Sequence, residues 1–268
     1  MSKAVTKKKN TSLSEEIPDF LSEFSGEGVE DTSDLAIIPR IKLLQALSPE
    51  VSEGDEKGGN FYHTIAEQSM GSEVMIIPLL VTKSVILWRP RKDGGGILAR
   101  ADDGVHWDKP DQSFDVKLDN GKQVTWDTGK SVQQSGLSQF GSSDPEDENS
   151  KPAATLNINI VSWFPDETSL SPAIISLSKA SLGVGKKFVS KLGISRLPTW
   201  SRIFKMSSFK HDHASGTFFD YKFEGVGTIE EDMASEMRSM YQYFRTKGVT
   251  TREEDEVDVD ADITEENF

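Results

Sequence analysis

Between Lys179 and Lys210 the chain carries eight bases and no acid: Lys179, Lys186, Lys187, Lys191, Arg196, Arg202, Lys205 and Lys210. Phe188, Trp200, Phe204 and Phe209 are interleaved with them. Cations neutralise phosphates and release counterions, and aromatic faces stack unpaired bases. That mixture is the chemistry of a groove for single-stranded nucleic acid. The competing reading is a packed core beside a solvated cationic face. Strand parity supports part of it, since Trp200, Arg202, Phe204 and Met206 would share one face while Lys205 and Phe209 share the other. Phe188 reads as core.

A second basic run, Trp88-Arg89-Pro90-Arg91-Lys92, precedes Gly94-Gly95-Gly96. It reads as a loop leaving a strand, able to clamp a backbone or to be a plain surface turn. Phe219, Tyr221 and Phe223 alternate on one strand face. Core is their default reading, and a stacking platform is the minority one.

Catalytic chemistry finds less support. His211-Asp212-His213 has ligand types that suit zinc or manganese, but no third ligand is specified and a surface turn explains it. His63 and His106 lie far off in sequence. Asp102, Asp103, Asp108 and Asp111 gather near His106 without a strict metal spacing, and turn chemistry accounts for Asp-Asp-Gly. The triple glycine lacks the Lys-Ser or Lys-Thr of a phosphate-cradling loop. No cofactor and no metal is expected, and the reading is of a protein that is not an enzyme.

The chain has 268 residues, no cysteine and a formal net charge of −14. Disulfides, Cys-containing metal sites and thiol catalysis are thereby excluded. The charge is uneven. Residues 1–34 carry four bases and eight acids, and residues 253–268 carry nine acids and no base, so the body is close to neutral. The acidity belongs to the ends and does not exclude an anionic ligand for the body. No apolar run approaches the roughly 18 residues of a membrane helix. No apolar stretch follows the basic start, so no secretory signal is read there.

The elements that must position these groups are mostly strands. Residues 1–34 read as a disordered acidic arm. Order is expected over 35–228. Residues 74–81 suit a buried strand in which Pro78 demands an edge or a bulge. Strands over 114–118 and 123–126 flank Asn120-Gly121, a hairpin signal. Residues 155–163 alternate like a half-buried strand, and 173–178, 201–208 and 216–226 follow as strands. A helix over about 179–192 places Val184, Phe188 and Leu192 on one face, although Gly183 and Gly185 weaken it. Residues 229–248 form an amphipathic helix with Met233, Met237, Met240, Tyr241 and Phe244 on one side, and 249–268 an acidic disordered tail. The fold class is mainly β. We expect an OB-like barrel with long loop insertions, chiefly 89–152, one helix before the last two strands, and a C-terminal helix.

The last sixteen residues run from Glu253 through Asp258, Asp260, Asp262, Glu265 and Glu266 to Phe268. An acidic run closed by an aromatic ring resembles the tails of single-stranded-DNA-binding proteins from bacteriophages and bacteria. Asn267 departs from that pattern, which often has Asp or Pro there. The body, including Ile38-Pro39-Arg40-Ile41-Lys42-Leu43-Leu44 and Leu87-Trp88-Arg89-Pro90-Arg91, is similar in style to phage proteins, and the long arm leaves the phage kind as the nearer comparison. The resemblance implies a tail that competes with DNA for the groove and recruits replication proteins such as a polymerase or helicase. Asp258, Asp260, Asp262, Glu265, Glu266 and Phe268 would carry that role.

The expected function is therefore single-stranded-DNA binding with little sequence preference, in phage DNA replication or recombination, in the cytoplasm of the bacterial host. The expected contacts are Arg89, Arg91, Lys92, Lys186, Lys187, Lys191, Arg196, Trp200, Arg202, Lys205 and Lys210. The alternative is a structural or interaction protein of a phage particle that uses its tails as partner-binding arms. A continuous basic groove would favour the first, and bases scattered over several faces the second. No membrane partner is expected, and homo-oligomerisation stays open.

Overall fold

The computed structural model describes residues 38–213 and 216–249. The arm expected over 1–34, and the acidic tail expected over 249–268 except Val249, lie outside the described residues. In chain order the elements are β1 (Arg40–Leu43), α1 (Pro49–Ser52), β2 (Phe61–His63), β3 (Gln68–Gly71), β4 (Glu73–Trp88), β5 (Ile97–Ala101), β6 (Ser113–Lys117), β7 (Gln123–Asp127) and α2 (Val132–Ser135). They continue with β8 (Ala154–Trp163), β9 (Ala173–Ser178), α3 (Leu182–Ile194), β10 (Arg202–His213), β11 (Gly216–Thr228) and α4 (Ala234–Lys247).

Nine strands form one sheet, ordered β11-β10-β4-β8-β9-β1-β2-β3, with β5 paired to the far end of β4. The long β4 is the spine. It runs antiparallel to β8, to β10 and to β5. The succession β4-β8-β9, then α3, then β10-β11 is that of an OB-like barrel, as the residue pattern implies. The register between β4 and β8 slips at Pro78. Pro78 has no N–H to give to a ladder, and a bulge accommodates it.

The N-terminal meander β1–β3 enters beside β9, through the parallel pair Arg40 with Ile174. The loop after β1 then reaches the opposite edge strand. The Gln45 amide donates to the Phe219 carbonyl (3.0 Å), and its carbonyl accepts the Phe219 N–H (2.8 Å). One side chain thus satisfies both backbone groups of a residue on β11, and Phe61 stacks on Tyr221 at 5.9 Å. These contacts close the curl.

Three apolar clusters follow from that geometry. The barrel interior holds Phe61, Ile160, Ile175, Phe204, Met206 and Phe223, and α3 fills it with Phe188 and Leu192. Gly185 of α3 has a purpose there: a Cβ would stand 3.0 Å from the Ile158 side chain and 3.2 Å from that of Leu177. The glycine that weakens the helix as a local signal lets the helix approach the sheet. A second cluster, with Trp107, Val116, Trp126 and Leu137, shows that the 89–152 segment has a core of its own under the β6–β7 hairpin. The hairpin turns at Gly121, with φ +89°. The third cluster lies on the outer face, where Met237 and Phe244 of α4 cover Ile77, Leu79, Val161 and Ile174.

His63 is buried beside the barrel interior. Its Nδ1 accepts the Ala66 N–H at 2.9 Å, which puts the proton on Nε2, and among the described residues Nε2 makes no hydrogen bond of ordinary geometry. Burial pushes the imidazole below its ordinary value. The unfolded chain therefore takes up a proton near pH 6.5 that the folded chain refuses. Stability is full above about pH 6.5 and is lost as pH falls below it towards the folded value. Chemical denaturation across that range should show this loss, and His63→Asn should flatten it. An unchanged slope in the variant would assign the loss to another group.

Candidate nucleic-acid interface

The basic helix α3 is built by its apolar stripe. Gly185, Phe188 and Leu192 face the barrel. At 100° per residue, Lys187 and Lys191 then fall on one flank and Lys186, with Val189 and Ser190, on the other. On the first flank Lys191 Nζ donates to the Phe223 carbonyl at 3.2 Å. The Arg202 guanidinium lies over the Phe204 ring, 4.7 Å from its centroid, and donates to the Lys191 carbonyl at 3.4 Å. Lys191 and Arg202 thus meet where α3 approaches the start of β10, with Lys187 one helical turn before Lys191 on the same flank. Arg196 is exposed in the turn after α3, with φ +54°.

The remaining expected contacts are dispersed. Lys205 Nζ pairs with Glu73 at 2.8 Å, and that hydrogen bond raises the ammonium above its ordinary value. Lys210 pairs with Asp212 at 2.9 Å and holds that carboxyl below the usual range. Arg89 pairs with Asp93 at 2.7 Å, and Lys92 donates to the Asp119 carbonyl at 2.5 Å. Lys92 and Asp93 form, with the exposed Arg91, a single turn of 3-10 helix after β4, next to the β6–β7 hairpin. Lys186, Lys187 and Arg196 have no ion pair among the described residues. The bases therefore do not form one continuous row.

Strand parity holds for Phe204 and Phe209, which take opposite faces, but not for Trp200: it lies in a 3-10 turn before β10 begins and so does not share the face of Phe204. Phe188 and Phe204 are core: Phe188 stacks on Phe223 at 4.4 Å and meets Phe204 edge-on at 4.9 Å. Tyr221 and Phe223 are buried, and Phe219 packs beside them. Trp200 is half-buried against the outer cluster under α4. Phe209 differs, being 37% exposed.

Phe209 belongs to a group that the sequence reading missed. Its ring lies 4.5 Å from that of His211, and His211 stacks on Phe218 at 4.8 Å with 18° between planes. The register sets His211 opposite Phe218 and Phe209 opposite Asp220. The three rings therefore make a ladder on the outer face of the β10–β11 hairpin. The signal was available in principle: Phe209 and His211 share parity, and the antiparallel pairing of β10 with β11 sets Phe218 across from His211. The metal reading of this segment has no support here, because His211 is engaged with rings and Asp212 with Lys210 and Thr217. Among the described residues no three His, Asp or Glu side chains come together as a metal site. No described helix is long and apolar enough to cross a membrane.

Compared with known proteins, residues 7–250 match the model of a family described as Pam3 phage gp34-like protein. No curated protein and no solved structure matches. The match includes the whole barrel, α3 and α4, and stops short of the acidic segment 253–268 that carries the resemblance to single-stranded-DNA-binding proteins. Spanning most of the chain, it shows that this phage protein belongs to the Pam3 phage gp34-like family.

Proposed function

We propose that the protein binds single-stranded DNA with little sequence preference and serves phage DNA replication or recombination in the host cytoplasm. The observation that carries this reading is the solvent-facing ladder Phe209–His211–Phe218 on an OB-like barrel. Stacked rings receive bases of any sequence, because every base has a π face. Lys187, Lys191 and Arg202 at the other end of β10 would supply phosphate contacts. The acidic tail would compete for those cations and, through Phe268, recruit a polymerase or helicase.

The dispersal of the bases favours a second reading. Lys205, Lys210 and Arg89 already have carboxylate partners, which suits an interaction protein of the phage particle. Fluorescence anisotropy with labelled single-stranded DNA, duplex DNA and RNA separates the two. The expected result is tightest binding to single strands, with log K falling linearly with log salt. Deleting residues 253–268 should tighten binding most at low salt, where screening is weakest. Equal affinity for duplex, or a flat salt response, would favour the interaction protein.

A further inference from the structure

The spine strand β4 has an open edge. On one side it pairs with β8 over residues 77–87. On the other, β10 pairs only up to Ile76 and β5 only from Val85. Thr199 covers the start of this gap, its hydroxyl donating to the Leu79 carbonyl at 2.9 Å. Among the described residues no strand pairs with this side of residues 80–84. Unpaired backbone at a sheet edge is a template for a further strand.

That edge borders a cleft of ≈ 950 Å³ whose apolar surface comes from Val81, Leu156, Ile158 and Val189. The exposed Lys83 and Lys186 flank it. Asp102 and Asp103 stand on the wall made by the 89–152 segment, and Asp103 is engaged by the ring and backbone of His106.

Two features identify the occupant. Val249, the last of the described residues, itself lines the cleft. Further on, the chain reads Val257-Asp258-Val259-Asp260-Ala261-Asp262-Ile263. Apolar and acidic residues alternate there with the period of a strand. The intervening residues 250–256 can span at most about 25 Å, which permits a return to the same cleft.

We propose that residues 257–263 add to the free edge of β4 as an extra strand of the same molecule. Val257, Val259, Ala261 and Ile263 would face the apolar surface, and the three Asp would face solvent, with Lys83 and Lys186 offsetting part of their charge. Main-chain hydrogen bonds would give the affinity and alternate side chains the register. This proposal is independent of nucleic-acid binding, so its test contains none.

Amide hydrogen exchange is measured on the full chain, on a chain ending at residue 249, and on a full-length V257S/V259S/I263S variant that keeps every acid. Amides of residues 80–84 that do not bond to β8 should exchange on the order of tenfold slower in the full chain than in either variant. Amides between β8 and β9 should be equal in all three, as the control that the barrel is folded. Equal exchange at 80–84 would overturn the proposal. So would full protection in the serine variant, which would leave only charge holding the tail. Protection that disappears on dilution would overturn it too, because the strand would then come from a second copy.

Discussion

Phe188→Ala is expected to lower the stability of the barrel by about 3–5 kcal/mol. Phe188 is 1% exposed and is the ring on which the interior converges. It stacks on Phe223 of β11 and meets Phe204 of β10 edge-on, while its own helix joins β9 to β10. Truncation loses the transfer free energy of the ring and leaves a cavity that three elements line. They cannot all collapse into it, since β10 and β11 are held by their ladder and α3 by its close approach at Gly185. For a domain of this size the melting temperature should fall by roughly 6–20 °C. Calorimetry measures it, and Phe188→Leu should cost far less because most of the volume is kept. A loss below about 1 kcal/mol for Phe188→Ala would mean that α3 does not plug the barrel.

Phe209→Ala and Phe218→Ala should each weaken single-strand binding by about 1–3 kcal/mol, which is about 5- to 150-fold in Kd. Both rings lie on the outer face of the hairpin, away from the buried Phe204, Met206 and Phe223, so thermal stability should change little. Neither substitution removes a charge, so the salt slope should stay as it is. Lys187→Ala and Lys191→Ala should do the opposite, each lowering the slope by roughly one unit across all sequences. This division separates stacking from phosphate contact within one set of titrations. Unchanged affinity in the Phe209 and Phe218 variants would remove the ladder from the interface and transfer the weight to the interaction-protein reading.

Much of the framework was legible from local pattern. The alternation over 155–163 is β8, the spacing of Val184, Phe188 and Leu192 is α3, and Asn120-Gly121 turns a hairpin. Pro78 marks a bulge, and Phe188, Tyr221 and Phe223 are core. These are decided by φ/ψ preference and by which neighbours a period brings to one face, and both are written within a dozen residues. The short strands β2, β3 and β5 were not legible, because three to five residues carry too little period to distinguish a strand from a turn. The core of the 89–152 segment was hidden for the same reason.

What the site looks like was left to the tertiary structure. A run of eight bases without an acid reads as one cationic surface, yet Lys205 meets Glu73 once β10 pairs with β4, Lys210 meets Asp212 two residues along its own strand, and a helix sends Lys186 and Lys187 to opposite flanks. Trp200 comes under α4 only because that helix lies on the outer face. The ladder Phe209–His211–Phe218 and the open edge of β4 both depend on which strand pairs with which, and where the pairing stops. Composition and spacing along the chain determine which chemistry is present and which elements form. Contacts between residues distant in sequence decide which of those groups meet, which are neutralised, and which still face solvent.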